Sequence, residues 1–425
     1  MRIHKLIISS VLVTALAAVT GCSGAAPGGA PAAGDGSKQD STVLRLNYGE
    51  SQYAAAVLKA FQQEHPDIKV EVTHAAVTFE DGSVQTNLRS GHGADVLLVN
   101  SGPGRVAPLA RAGLIADLTD VYDGGARQQY PKDVLDQITT DKKIYEVVEG
   151  RDIFELHYNQ KILDRAGVQP PKTWSDLIAS CKPLAEAGVQ PLVVGARDNF
   201  AGGWLTGTLL QSSAGTATMR DVLFDNGSFA QQPVLDGAAK IGQLIKNGCL
   251  DGKKGLAFDG DQATATFARG KAAMIVATQA LDADLQQDKV DTSALHAIPM
   301  PSDDPANAHP TSGLAVSWIV NANSRSLPAA KEWIRWVSSE KYLTIAAQNG
   351  YTFGPTHLVP DSVQLDPAIA KAVKDANTET GFNPSVYLSA DGKDAWYAAV
   401  QGLLAGRDPK PLLQAIDTSR ADGGE

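Results

Sequence analysis

The chain has 425 residues, 43% hydrophobic and 20% charged, with a formal charge of −10. At about 150 residues per domain this length predicts two to three domains, and the composition excludes both a disordered chain and a multi-span membrane protein. The acidic balance leaves no global basic footprint for nucleic acid, and three cysteines are too few for a disulfide-dense scaffold.

Residues 1–21 read as an export signal. Arg2 and Lys5 form a positive start, an apolar stretch runs from Leu6 to Val19, and Val19-Thr20-Gly21-Cys22 resembles the bacterial lipobox, whose cysteine is lipidated. An ordinary signal peptide cleaved nearby is the plainer alternative. Residues 22–41 are rich in Gly, Ala, Pro and Ser and bury too little to order themselves, so they read as a tether. With Cys22 assigned to lipid, Cys181 and Cys249 remain as an even pair in an oxidising compartment, and a disulfide within one lobe is expected.

The mature chain opens with a strand at Val43, Leu44 and Leu46, then a helix with Ala54, Val57, Leu58 and Phe61 on one face. Pro66 must end that helix. Ile68, Val70 and Val72 alternate with polar residues as a second strand, and Asp95 to Val99 reads as a strand covered on both faces. The pattern restarts at Phe154, Leu156 and Tyr158. Thr173 caps a helix, with Asp176 three residues on. Further strands are expected at Leu192 to Val194, Ala273 to Ala277 and Leu314 to Val320, with helices over 201–250 and behind Ala330, Trp333, Ile334 and Val337. The tail from Pro367 to Ser419 reads as helical, broken by Gly381, Pro384 and Gly392. Strands and helices in this order imply mostly parallel α/β layers.

Catalytic motifs are absent: no GxSxG, HExxH, CxxC, P-loop or GxGxxG. The eight histidines show no metal-ligand spacing, and neither metal nor cofactor is expected. A carboxylate pair meeting in space stays open, which keeps an exported carbohydrate-active enzyme as an alternative.

Several stretches in order resemble the extracellular sugar-binding proteins of bacterial ABC importers, the group that includes maltose-binding protein. They are Phe61 to Val70, with Pro66, Ile68 and Val70; Gly93-Ala94-Asp95-Val96, where Ala94 replaces the family's proline; Leu109 to Ile115 with Asp117-Leu118-Thr119; Tyr158-Asn159 through Pro170-Pro171-Lys172-Thr173-Trp174; and Phe267 to Met274. The resemblance implies a two-lobe α/β fold of the periplasmic-binding-protein type (type II), with ligand in the interlobe cleft. Lobe one would take 42–150 and 312–345, and lobe two 151–311 and 346–425. It further implies a non-enzymatic, monomeric receptor, anchored through Cys22 outside the cytoplasm, that hands a sugar, most simply an oligosaccharide, to an importer's permease. The same fold binding a polyol or a glycerol phosphate is a further alternative, favoured if two or more Arg or Lys line the cleft.

Sugars need aromatic platforms and planar polar groups, and open α/β sheets bind beyond the carboxyl ends of their strands. Those ends supply Tyr48, Glu50, Asn100 and Ser101. Arg151 and Asp152 fall where the family has a cleft-facing segment, and read either as ligand contacts or as a hinge salt bridge. Asn199 and Trp204 flank Gly202-Gly203 in an expected loop, with Trp204 as a stacking wall. Gln279 follows a strand where the family often places a sugar contact, and Tyr351 or Phe353 would close the cleft. Trp174, Trp318, Trp333 and Trp336 read as packing residues.

Overall fold

The hydrophobic alternation at Thr42–Asn47 and Ile68–Thr73 builds a sheet edge. The computed structural model describes residues 42–49, 52–75, 77–79, 82–130, 132–225, 227–351, 359, 362–378 and 380–423. β1 (Thr42–Asn47) pairs in parallel with β2 (Ile68–Thr73) and with β3 (Val96–Asn100). The helix Gln52–Glu64 between β1 and β2 stops two residues before Pro66, as the proline requires. A two-stranded hairpin, β4 (Thr139–Thr140) and β5 (Lys143–Ile144), precedes the longest strand, β6 (Glu146–Asn159).

β6 runs through both halves of the molecule. Glu146 to Phe154 pair with β10 (Thr311–Val320), and Phe154 to Tyr158 pair with β8 (Ala272–Thr278), both antiparallel. β7 (Gln190–Val193) lies parallel to β8, β9 (Leu295–Ile298) pairs with β6, and β11 (Gly381–Phe382) pairs with the start of β10. The path β2-β1-β3-β10-β6-β8-β7 is one continuous mixed sheet. Its outer strands are parallel, as the strand–helix order implies, and the two crossing strands introduce the antiparallel pairs.

Two main cores cover this sheet, which makes the fold a two-lobe α/β architecture. The first packs Leu44, Leu46, Phe61, Trp333 and Tyr342, and it also holds Ala346, Tyr351 and Val363. The second packs Phe154, Leu156, Leu177, Leu205, Ile241 and Trp396. Helix Trp174–Glu186 begins with the expected reciprocal cap: the Asp176 N–H donates to Thr173 Oγ1 at 3.1 Å and the Thr173 N–H to Asp176 Oδ2 at 3.0 Å. The expected disulfide Cys181–Cys249 is present, buried in the second core, with Cα atoms 4.9 Å apart.

Two local expectations change. Gly392 does not break the tail; it lies in the first turn of helix Ala390–Leu404, where its N–H donates to the capping Ser389 Oγ at 3.2 Å. Asn199 and Trp204 are not in a loop: helix Phe200–Phe224 starts directly after Asn199 and carries Trp204. Gly313, near the start of β10, meets the Val386 side chain so closely that an added Cβ would lie 2.5 Å from it. A side chain there would push the short helix Pro384–Tyr387 off the crossing strand.

Candidate functional site

Two cavities include Asn100 at the carboxyl end of β3. The first, about 540 Å³, has an aromatic wall. β1 delivers Tyr48, helix Gln52–Glu64 delivers Tyr53, β10 delivers Trp318, and helix Glu340–Gln348 delivers Tyr342. Tyr48 meets Trp318 edge-on with centroids 5.6 Å apart. Asp284 and Gln287 of helix Leu281–Gln287 close the opposite side, and Leu281 and Leu285 fix that helix against β7 and β8.

The second cavity, about 410 Å³, is more highly charged. Asp152 and Phe154 of β6 form its floor with Leu314 of β10. Trp204 stands beside Phe154 at 5.4 Å, and Phe200, 47% exposed, stands 6.3 Å from Tyr397. Arg105 and Lys393, both nearly buried, reach the same space from helices Pro103–Arg111 and Ala390–Leu404. Burial pushes the Asp152 carboxyl up to about 7, against a hydrogen bond from Gln279 that holds it down. A carboxyl poised there accepts or donates a hydrogen bond to a hydroxyl according to pH.

The expected site residues therefore separate. Tyr48, Asn100, Asp152 and Trp204 line the cavities. Ser101, Gln279 and Tyr351 line neither, because each is buried with its polar group committed inside the protein. Ser101 Oγ donates to Glu146 Oε2 at 2.7 Å, Gln279 Oε1 accepts from the Ile153 N–H at 2.7 Å, and Tyr351 Oη donates to the Glu149 carbonyl. Arg151 alternates with Asp152 along β6 and, unlike it, lines neither cavity. Asn199 holds φ 73° at the helix entrance, and its Oδ1 accepts from Gln401 Nε2 at 2.7 Å. It is a positioning element beside Phe200. Glu50, Phe353 and Cys22 lie outside the described residues.

Sequence reasoning missed Tyr53, Tyr342, Phe200, Arg105 and Lys393, and assigned Trp318 to packing alone. Arg105 was reachable, since it opens the helix just beyond the carboxyl end of β3. Phe200 stands beside the Gly202-Gly203 pair already singled out. Tyr342 and Lys393 carry no local signal, because only tertiary packing turns their helices toward the cavities. Among the described residues no group of three or more His, Cys, Asp or Glu is arranged to hold a metal ion, and no helix is long and apolar enough to cross a membrane.

Comparison with known proteins bears on this geometry. The family model for bacterial extracellular solute-binding proteins matches residues 47–343. An uncharacterized ABC transporter extracellular-binding protein of Pyrococcus horikoshii is 23% identical over 379 residues, 84% of this chain and 80% of that protein. A structure from work on xylan utilization by the thermophilic bacterium Caldanaerobius polysaccharolyticus superposes with a TM-score of 0.78 at 21% identity, covering 88% of this chain and 99% of that one. A chitin oligosaccharide binding protein gives 0.77 at 20% identity, covering 91% and 100%. The chain belongs to the bacterial extracellular solute-binding proteins, a family of binding proteins rather than enzymes.

Proposed function

We propose that this protein is a lipid-anchored receptor that binds an oligosaccharide across both cavities and delivers it to an ABC importer. The observation that carries this reading is the pair of cavities meeting at Asn100, one walled by Tyr48, Tyr53 and Trp318 and the other by Trp204 and Phe200. Rings on both sides of a shared polar residue suit a ligand of several sugar units, whose C–H faces stack while its hydroxyls meet Asn100, Asp152, Asp284 and Gln287. In this reading Cys22 carries the lipid, residues 22–41 are the tether, and the receptor acts as a monomer. The lobes divide as 42–150 with 312–345 against 151–311 with 346–425. The packing of Ala346, Tyr351 and Val363 in the first core supports placing the boundary later than 345.

Ligand touching both lobes binds the closed state better than the open one and shifts the population toward it. The permease then recognises that closed form. Calorimetric titration against xylo-, chito- and malto-oligosaccharides tests the reading. A dissociation constant tighter than about 1 mM, improving with chain length, is the expected result. No binding by any of the three series overturns it. A second reading, an anionic solute such as a glycerol phosphate in the same fold, gains from Arg105 and Lys393 in the second cavity. Tight binding of glycerol phosphate with no sugar binding would select it.

A further inference from the structure

One carboxylate collects three of the groups that line the aromatic cavity. Glu149 lies on β6, 1% exposed, and lines neither cavity itself. Its Oε1 accepts from Tyr53 Oη at 3.3 Å and from Tyr342 Oη, and its Oε2 accepts from Trp318 Nε1. All three donors line the first cavity, and they arrive from three separate elements: the helices Gln52–Glu64 and Glu340–Gln348, and β10. Tyr351, just after helix Glu340–Gln348, ties its hydroxyl to the Glu149 carbonyl and stacks edge-on with Tyr53 at 5.5 Å.

We propose that Glu149 is a positioning residue for ligand, setting the aromatic wall by holding Tyr53, Trp318 and Tyr342 on one buried carboxylate. The proposal rests on the reading of this cavity as part of the sugar site. An ionised carboxylate only accepts, so all three donors are satisfied together. Protonation turns one oxygen into a donor. An indole N–H can only donate, so Oε2 keeps accepting from Trp318 and the proton goes to Oε1, where one tyrosine must turn from donor to acceptor and the negative charge beside the indole is lost. The titratable groups facing Glu149 are Tyr53, Tyr342 and Tyr351, with Tyr130 in electrostatic range; Glu146 and Asp152 flank it along β6. Burial raises the Glu149 carboxyl to about 6, opposed by its three donors. The rearrangement therefore falls within the range where a folded protein is readily studied.

Glu146 supplies the control. It lies on the same strand with the same burial, but its side chain accepts from Ser101 and Ser317 rather than from aromatic residues. The experiment compares wild type, Glu149→Gln, Glu146→Gln and Trp318→Phe. Calorimetry with xylotetraose and chitotetraose gives affinity from pH 5 to 8, and intrinsic tryptophan emission of the free protein is followed over the same range. Glu149→Gln should bind about tenfold more weakly and lose the pH dependence near 6, while Glu146→Gln binds within twofold of wild type. Wild-type emission should change with a midpoint near pH 6, and Glu149→Gln and Trp318→Phe should both abolish that change. Equal losses in the two glutamine variants, or Glu149→Gln binding like wild type, overturn the proposal. If wild type binds neither sugar, the sugar reading is in doubt, and the emission titration decides the positioning claim: no transition that depends on Trp318 overturns it.

Discussion

The first core organises itself around charge, the second around a covalent staple. In the first, two carboxylates of β6, Glu146 and Glu149, sit fully buried and gather hydroxyls and an indole from other elements. In the second, the Cys181–Cys249 bond joins helix Trp174–Glu186 to the segment after helix Gln232–Lys246, and the same strand carries buried Glu155 and His157 there. The difference teaches where specificity and stability reside. Buried charges fix ring orientation at the cost of desolvation, whereas a staple limits the unfolded chain without touching the cavities.

The largest expected effect breaks the staple. Closing a loop across a separation of 68 residues is worth roughly 4 kcal/mol in the chain-entropy model. Urea unfolding of a Cys181→Ser, Cys249→Ser double variant should show a loss of that order, with sugar affinity in the folded protein unchanged. An affinity loss would mean that the second core's packing governs the cavities.

Next come two opposite pH slopes on one strand. Burial raises Glu146 to about 7, so the folded chain holds that proton more tightly than the unfolded chain. Its contribution to stability is full below about 4.5 and is lost as pH rises through 7. Burial lowers His157 to about 4 from its ordinary 6.5, so its contribution is present above 6.5 and is lost as pH falls toward 4. Each amounts to roughly 3 kcal/mol, and the two oppose one another. Glu146→Gln should therefore make the protein relatively more acid-sensitive, and His157→Gln less so, in denaturant titrations between pH 4 and 7. Parallel slopes in the two variants would remove the contrast.

The smallest effect separates the cavities. Trp204→Ala removes the ring beside Phe154 in the second cavity and should weaken a long oligosaccharide about tenfold, roughly 1.4 kcal/mol. A mono- or disaccharide held by Tyr48 and Trp318 should hardly notice it. Calorimetry across chain lengths checks this, and an equal loss at every length would merge the two cavities into one.

Much of the frame was legible because its signals are local. The alternation at Ile68 to Val72, the stop before Pro66, the cap at Thr173 and the cysteine pair left once Cys22 was set aside all lie in short windows or simple counts. Cavity-lining positions were legible at strand ends, as for Tyr48 and Asn100, where the open-sheet rule needs no partner, and at Asp152 and Trp204 from the family's cleft segment and a Gly-Gly pair. The sequence is silent where a side chain's direction is decided far away. Gln279 turns onto Ile153 across 126 residues, and Tyr351 onto Glu149 across 202. From the sequence both are polar residues just after a strand or turn; in the fold each bonds to the backbone of β6.

The passage of β10 through the sheet has a consequence for how the chain is made. Val316 to Val320 fill the slot between β3 and β6, and Thr311 to Leu314 pair with the part of β6 that leads into the second core. Until residue 320 is available, β3 and β6 each present a long open edge and neither core is closed. These contacts join positions more than 150 residues apart, and such long-range pairing is slow to form. A chain emerging from its amino terminus thus spends most of its synthesis without the strand that would lock it.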